Sequence, residues 1–476
     1  MTPQHTEEYD VVVVGGGPAG ENAADYAIRG SDRTAAIVEA ELVGGECSYW
    51  ACMPSKALLR PLDVLDAARH LQGIRGPLEP DPAGLLARRD TWVSGYDDRG
   101  QVEWAEGAGI SVVRGRGRLA GERTVEVTAP DGSTRTLRAR QAVVLATGSA
   151  PVVPPPLRDI GAWGSRDVTG VTEVPARLAV VGGGVVACEA ARWMAALGSE
   201  VTLLVRGDRV LPRAESFVSD LVVAGLEASG VTVRLSTGTS GASRDDVRDT
   251  GVGRIHGGPV TLRLDGSVEL EVDEVLVATG RRPVTDVGLE SAGLTADDVA
   301  GRTHGGALPD WLLSVGDVNG VAPLTHWGKH QARLVGRLLT ARAEGRPDPS
   351  VPEDVPVPQV VFTDPQVAWV GPTAAQAREA GLSVETRDAA YTSASGAALL
   401  RDDATGQARL VVEQGTGRLL GATFVGPDVA ELLHSATVAV TGRLDVETLG
   451  HAVPSYPTAS EVWLRLLEAE PATDEV

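Results

Sequence analysis

The 476-residue chain contains little lysine, little cysteine and no long apolar run. Because no run reaches the roughly 18–20 residues that a bilayer requires, we expect no membrane span. The 64 acidic and 43 basic residues give a net charge of −21, which argues against binding to nucleic acid or an anionic membrane. Three cysteines are too few for a secreted disulfide framework, and their spacing predicts no metal site. The acidic start resembles no secretion signal, so we expect a cytoplasmic protein.

Lysine occurs only at Lys56 and Lys329, with arginine supplying the other basic charges, so each lysine is a candidate for a specific role. Apolar residues make up 43% of the chain, a fraction typical of a globular protein with a sizeable core. The length suggests about three domains.

One sequence plan occurs twice, at residues 9–39 and 177–206: an apolar run, a glycine turn, an alanine-rich helical stretch and a second apolar run. Continuous apolar runs suit parallel strands that are buried on both faces. The predicted fold class is therefore α/β, with two Rossmann-like, doubly wound dinucleotide-binding domains. A proline-rich joint at 149–157 precedes the second copy, and another at 346–358 precedes a C-terminal α+β domain.

The first glycine turn reads Gly15-x-Gly17-x-x-Gly20, between an apolar strand and a helix. These glycines permit a tight turn, close approach of a pyrophosphate, and close packing of helix on strand. The helix N-terminus would offer N–H groups to the anion. Glu39 ends the next predicted strand, where its carboxylate can accept ribose hydroxyls. The pattern predicts a dinucleotide site.

The second turn reads Gly182-x-Gly184-x-x-Ala187, and Arg206 stands where the ribose-binding acid is expected. An acid would repel a 2′-phosphate, whereas arginine can bind one with two hydrogen bonds. We therefore expect NADPH, with NADH as the alternative. Two further arginines follow, at Arg209 and Arg213.

Cys47 and Cys52 lie just beyond the first turn and are followed by Lys56. If the segment is helical, the two side chains lie about one turn apart, and a distorted helix could close them into a disulfide. A thiolate near a helix N-terminus and cationic groups has a lowered pKa. The sequence thus indicates a redox pair, whereas Cys188, inside the second predicted helix, is expected to pack in the core.

In these blocks the sequence resembles the FAD-dependent pyridine nucleotide-disulfide oxidoreductases, the group that contains dihydrolipoamide dehydrogenase, glutathione reductase and mercuric reductase. The resemblance covers nearly the whole chain. It rests on the first glycine turn, GGxCxxxxCxPSK at 44–56, two Ala-Thr-Gly turns at 146–148 and 278–280, SVGDVNG at 314–320 and FTDPQVAWVG at 362–371.

The resemblance implies that FAD occupies the first turn, with Glu39 on its adenosine ribose and Asp317 on its ribityl chain. Lys56 would lie near flavin N5 and pair with Glu189. Cys52 would be the thiolate next to the flavin, and Cys47 the interchange thiol that attacks a small-molecule substrate. The other residues expected to bind cofactor are Pro18, Ala19, Gly117, Thr147, Gly148, Thr325, Gly280 and Arg213.

The joints and the resemblance together predict four segments. Residues 1–150 and 285–350 would form a split FAD-binding domain around an NAD(P)H-binding domain at 151–284. Residues 351–476 would form a dimerisation domain, and the active sites of a homodimer would be shared between its subunits.

The chain departs from the family pattern near its end. Disulfide-reducing members carry His-Pro-Thr-x-x-Glu, in which the partner subunit's histidine serves the interchange thiol as acid and base. Here Tyr456 occupies the histidine position, Glu461 matches the glutamate, and His451 lies five residues too early. A phenol with a pKa of about 10 is a poor proton shuttle at neutral pH.

Three hypotheses remain. The first is an NADPH-dependent flavin disulfide reductase that acts on a small disulfide. The second is a related flavoenzyme that reduces a quinone, a metal ion or another non-disulfide acceptor. The third is a dihydrolipoamide dehydrogenase-type subunit of a multienzyme complex. A mercuric reductase or a large thioredoxin reductase would carry a further cysteine pair near the C-terminus, and no cysteine follows Cys188.

Overall fold

The computed structural model describes residues 6–350 and 355–472. The α-helices are α1 (Pro18–Ile28), α2 (Gly45–Tyr49), α3 (Cys52–Arg69), α4 (Pro82–Trp92), α5 (Arg99–Gly107), α6 (Ser165–Thr169), α7 (Val185–Ala196), α8 (Ser216–Ala228), α9 (Ala296–Val299), α10 (Thr325–Ala343), α11 (Ala374–Glu379), α12 (Ser395–Ala398), α13 (Val429–Thr441), α14 (Val446–Leu449) and α15 (Val462–Glu468).

The strands are β1 (Thr6–Val14), β2 (Ala35–Glu39), β3 (Ile110–Arg114), β4 (Arg116–Leu119), β5 (Thr124–Thr128), β6 (Thr134–Leu145), β7 (Ser149–Pro151), β8 (Arg177–Val181), β9 (Glu200–Leu204), β10 (Thr232–Arg234), β11 (Thr239–Ser243), β12 (Val260–Leu264), β13 (Glu269–Val272), β14 (Glu274–Val277), β15 (Arg281–Pro283), β16 (Leu312–Ser314), β17 (Gln359–Val361), β18 (Gln366–Val370), β19 (Val384–Ala390), β20 (Gln407–Glu413) and β21 (Leu419–Gly426).

The described residues form two compact units. The first consists of residues 6–54, 89–152 and 281–350, and the second of residues 55–88, 153–280 and 355–472. Residues 55–88 thus cluster with the second unit, although they lie inside the predicted 1–150 segment. The bounds of the four predicted segments stay a prediction.

The first unit is built on a seven-stranded sheet in the order β3-β2-β1-β6-β5-β4, with β16 also pairing with β6. Strands β1, β2, β3, β6 and β16 pair in parallel. The last four residues of β1 are valines, buried because both faces of the sheet are covered. Helices α1 and α10 pack closely together: a β-carbon at Gly336 would lie 2.5 Å from Tyr26 Cβ.

The second unit contains three sheets. A parallel sheet in the order β10-β9-β8-β14 carries α7 and α8, and an antiparallel sheet joins β11, β12 and β13. Residues 355–472 form an antiparallel sheet in the order β17-β18-β21-β20-β19, packed against α13 and α15. The fold class predicted from the sequence is confirmed. In the described ranges, no helix combines the length and apolar character needed to cross a bilayer.

Candidate active site

The first glycine turn has the shape of a phosphate cradle. It joins β1 to α1, and Pro18 is the first residue of that helix. A β-carbon at Gly15 would lie 2.3 Å from the Ala146 carbonyl oxygen, and one at Gly20 would lie 2.0 Å from the Gly15 carbonyl oxygen. The chain's own packing therefore requires both glycines. At Gly17 the nearest atom to such a carbon lies 4.0 Å away, which leaves room for a pyrophosphate at the helix N-terminus.

Glu39 closes one side of this cradle. Its Oε2 accepts the Gly16 N–H at 2.7 Å, and its Oε1 accepts the Glu41 N–H at 2.7 Å. Both bonds fix the carboxylate at the end of β2 while leaving further lone pairs on each oxygen. The position suits the predicted contact with a ribose.

Asp317 is held by a short polar chain. The Ser149 hydroxyl donates to Asp317 Oδ2 at 2.6 Å, and Arg281 Nε donates to Ser149 Oγ at 2.8 Å. The Thr147 hydroxyl donates to the Val284 carbonyl at 2.7 Å, and Gly148 adopts a positive φ of 72°. Ser149 and Arg281 were not among the residues predicted from the sequence, although each directly follows one of the two Ala-Thr-Gly turns.

Two of the other predicted cofactor residues are also packing residues. Ala19 makes a close contact with α10, since a β-carbon at Gly328 would lie 2.9 Å from Ala19 Cβ. Gly117 lies on β4, and a β-carbon there would lie 3.0 Å from the side chains of both Val14 and Val38. Sheet packing therefore accounts for this glycine, and a contact between its backbone and the cofactor stays a prediction.

The second glycine turn repeats this geometry in the other unit. A β-carbon at Gly182 would lie 2.4 Å from the Ala278 carbonyl oxygen, whereas one at Gly184 would meet nothing within 4 Å. Ala187 is fully buried in α7, and Gly280 has a φ of 132° with open space beside it. The residues fit a second dinucleotide, with the open position again at the middle glycine.

Arginines follow the strand that leaves this turn. Strand β9 ends at Leu204, and Arg206, Arg209 and Arg213 are all exposed. Within residues 6–350 and 355–472, no ion pair engages Arg206. Its guanidinium is thus available to an anionic ligand.

Cys47 and Cys52 do not share one helix, so the condition under which the sequence placed them one helical turn apart is not met. Cys47 lies in α2, the helix is interrupted at Trp50 and Ala51, and α3 begins at Cys52. Helix α2 ends at Tyr49, and Trp50, with a φ of −130° and a ψ of −3°, lies outside the α-helical range, so α2 does not continue into α3. The turn between α2 and α3 nevertheless places the two thiols close together, since the Cys52 side chain is the largest influence on the pKa of the Cys47 thiol.

The surroundings of the dithiol favour the protonated form of Cys47. The hydrogen bond with Cys52 and then burial raise the pKa of the Cys47 thiol, while Thr325 and Lys329 act in the opposite direction. Cys52 Sγ lies 3.4 Å from Thr325 Oγ1, so the first residue of α10 touches the pair. The structure thereby assembles Cys47, Cys52 and Thr325.

Lys56 and Glu189 meet in the second unit. Lys56 Nζ lies 2.7 Å from Glu189 Oε2, and Glu189 Oε1 accepts the Phe362 N–H at 2.9 Å. Lys56 Nζ also lies 4.8 Å from the centre of the Phe362 ring, within cation–π range. Phe362 was missed as a site residue, although the FTDP block that contains it was noted.

Arg192 lies one turn after Glu189 on α7 and also contacts α3 and Phe362. No sequence pattern pointed to it. Its guanidinium donates to Asp63 at 2.7 Å, to Asp66 at 2.8 Å and to the Phe362 carbonyl at 3.2 Å. Cys188, on the same helix, is fully buried, and burial raises the pKa of its thiol to about 12. That environment suits a packing role and an inert thiol.

The two candidate site residues near the end of the chain, Tyr456 and Glu461, differ in exposure. Tyr456 is 75% exposed, while Glu461 is 7% exposed. Glu461 Oε2 is buried and accepts no hydrogen bond from any of the residues that the structure describes. A buried carboxylate oxygen without a donor is costly, and it lies in the stretch where the family pattern would place a histidine.

Two family models match the chain. The pyridine nucleotide-disulphide oxidoreductase model matches residues 9–325, and the dimerisation domain of the same family matches residues 357–466. The dihydrolipoyl dehydrogenase of Thermus scotoductus is 34% identical, with 97% of each chain covered. That of Haloferax volcanii is 32% identical, over 96% of this chain and 95% of its own. A mercuric reductase of Streptomyces lividans is 31% identical, over 97% and 96%.

Solved structures share the fold. The HOCl-induced flavoprotein disulfide reductase RclA from Escherichia coli, as its Cu(II) complex, aligns with a TM-score of 0.80 at 24% identity, covering 97% of this chain and 99% of its own. LpdA from Mycobacterium tuberculosis aligns with a TM-score of 0.79 at 23% identity, with the same coverage. Together with the two cradles and the cysteine pair, these matches show that the chain belongs to the FAD-dependent pyridine nucleotide-disulfide oxidoreductases, enzymes that act on sulfur groups.

Proposed function

We propose that this chain is an NADPH-dependent reductase of a small disulfide, with Cys47 as the interchange thiol and Cys52 as the thiol next to the flavin. The neighbouring thiols of Cys47 and Cys52, with Thr325 Oγ1 3.4 Å from Cys52 Sγ, carry the proposal. FAD, when bound, would supply two-electron transfer between the reduced nicotinamide and the disulfide of this pair. Glu39 and Asp317 would hold it, and Lys56, paired with Glu189, would supply a fixed positive charge.

The protein's own sulfurs then carry the chemistry. The Cys47 thiolate attacks one sulfur of the substrate, whose S–S bond breaks as a mixed disulfide forms, and the departing thiolate takes up a proton. The Cys52 thiolate next attacks Cys47 Sγ, which restores the Cys47–Cys52 disulfide and releases the second thiolate, which is also protonated. The net change is the oxidation of one NADPH and the reduction of one disulfide to two thiols.

The choice of NADPH is supported by Arg206, exposed after β9 where an acid would repel a 2′-phosphate. The proposal also includes a cytoplasmic homodimer in which each active site combines residues of both subunits. The match to the dimerisation domain and the 75% exposure of Tyr456 support that arrangement.

A second candidate is the reduction of a quinone, a metal ion or another non-disulfide acceptor. It is favoured by Tyr456 in the position of the acid–base histidine, because a phenol exchanges protons poorly at neutral pH. The mercuric reductase relative points the same way. A dihydrolipoamide dehydrogenase-type subunit is supported by several relatives of that name, but Tyr456 and Arg206 count against it.

Anaerobic titration of the holoenzyme with NADPH, followed by stopped-flow reoxidation, separates these candidates. We expect a small disulfide such as cystine or oxidised glutathione to reoxidise the enzyme faster than benzoquinone, Cu(II) or lipoamide does, and Cys47→Ser to abolish that reaction. Fastest reoxidation by the quinone or the metal ion, and its survival in Cys47→Ser, would establish the second candidate instead.

A further inference from the structure

Lys329 is one of only two lysines in the chain, and the proposed chemistry does not yet use it. It is exposed on α10, four residues after Thr325. Side chains four residues apart lie on the same face of a helix, one turn from each other. Because the Thr325 hydroxyl lies 3.4 Å from Cys52 Sγ, the Lys329 side chain starts one turn away from the dithiol.

The charge of Lys329 reaches two groups from different elements. It opposes burial both at the Cys47 thiol of α2 and at the Glu21 carboxyl of α1, lowering the pKa of each. Burial is the larger influence on Glu21 and raises its pKa to about 7. Glu21 is therefore only partly ionised near neutral pH and does not fully neutralise the lysine.

The other groups that act on Cys47 supply no positive charge. Cys52, at the start of α3, raises its pKa through their hydrogen bond, and Thr325 of α10 contributes only a neutral hydroxyl. Glu46, the neighbour of Cys47 on α2, faces Arg281 at 4.0 Å. Tyr456, unlike a protonated histidine, carries no positive charge, because neither form of a phenol is cationic.

We infer that Lys329 is an electrostatic residue of the active site, whose ammonium stabilises the Cys47 thiolate and draws in acceptors that carry a negative charge. Lys329 transfers no proton in this role and contributes its charge alone. The inference rests on the proposed function insofar as Cys47 attacks the acceptor. It names the substrate class as disulfides with a carboxylate or another anionic group near the S–S bond.

The test measures Cys47 directly. The NADPH-reduced holoenzyme is alkylated with neutral iodoacetamide or anionic iodoacetate between pH 5.5 and 9, and modification of Cys47 is followed by peptide mass spectrometry. For Lys329→Gln we expect the alkylation profile to move to higher pH and the iodoacetamide rate at pH 7 to fall about threefold to tenfold. The iodoacetate rate should fall further, and Lys329→Arg should restore both rates.

Arg337→Gln is the matched control. Arg337 is exposed on the same helix and lies eight residues, about 12 Å, further along its axis. The substitution removes the same charge from beyond the Debye length at physiological salt, so both alkylation rates should match the wild type. Circular dichroism and FAD content show whether each variant is folded. A second variant, Lys329→Met, removes the same charge with a different side chain.

Unchanged alkylation in both Lys329→Gln and Lys329→Met would overturn the inference, as would an equal loss in Arg337→Gln. Failure of the proposed function has a different signature, because Cys47→Ser would then keep full turnover while the Lys329 variants still altered alkylation of Cys47.

Discussion

Lys56 Nζ lies 2.7 Å from Glu189 Oε2, although the two residues are 133 positions apart in the chain. The carboxylate side chain is 4% exposed and also accepts a backbone N–H from Phe362, whereas the lysine side chain is 36% exposed. The pair therefore fixes an ammonium group at a defined place while burying only its partner.

Glu189→Gln keeps the shape of the side chain but removes its charge. Because the lysine is partly solvated, we expect the free energy of unfolding to fall by only about 1–2 kcal/mol. The flavin reduction potential should change as well if Lys56 acts on the cofactor. Urea unfolding and spectroelectrochemistry check both, with the exposed Glu227→Gln as control. A changed stability with an unchanged potential would confine the pair to a structural role.

Substitution of the two cysteines should have unequal effects. With Cys47→Ser, Cys52 stays next to the flavin, so the long-wavelength charge-transfer absorption should persist while disulfide turnover is lost. With Cys52→Ser that absorption should disappear. Visible spectra during anaerobic reduction distinguish the variants. The reverse pattern would exchange the two assigned roles.

Arg206→Glu should change nucleotide preference. A charge-assisted hydrogen bond contributes roughly 1.5–3 kcal/mol, so we expect the KM for NADPH to rise about tenfold to a hundredfold. The KM for NADH should change far less. Arg234→Glu, in the neighbouring strand β10, is the charge-matched comparison. A wild-type preference for NADH would contradict the assignment of Arg206.

Tyr456→His tests the missing acid–base group. The new imidazole would donate a hydrogen bond to the Glu461 carboxylate and exchange protons near neutral pH. Turnover of a small disulfide should therefore rise, and the pH optimum of that turnover should move towards neutrality. Tyr456→Phe should lower native activity by less than about tenfold if the hydroxyl only orients the acceptor. Fast wild-type turnover that is insensitive to both changes would mean that protons travel by another route.

Glu21 should make stability depend on pH. Burial raises its folded-state pKa from 4.5 to about 7. The folded protein therefore holds the proton more tightly than the unfolded chain does, and the associated stability is complete below about pH 4.5 and is lost as the pH rises through 7. Glu21→Gln should add about 2–3 kcal/mol at pH 8 and little at pH 5. Urea unfolding at pH 5 and pH 8 measures the change in stability, with Glu106→Gln, at an exposed position, as the control. An equal gain in stability at both pH values would contradict the prediction.

The sequence by itself determined the two cradles and the fold class. The spacing of Gly15, Gly17 and Gly20, and of Gly182, Gly184 and Ala187, marks both turns in the sequence, and the apolar runs of β1 and β8 are read directly from their hydropathy. The cysteine pair and its lysine are equally local, because they lie within ten residues of each other in the printed sequence. The pairing of Lys56 with Glu189 came from the family resemblance.

Only the tertiary structure decided how distant segments meet. In the structure, the cysteine segment forms two helices, Gly117 packs against two valines, and residues 55–88 belong to the second unit. It also joined Ser149 to Asp317 across 168 positions. Such contacts depend on where whole elements pack, and neither periodicity nor spacing encodes that. Thr325 and Lys329 belong to the same class, since their helix reaches the dithiol only in the folded chain.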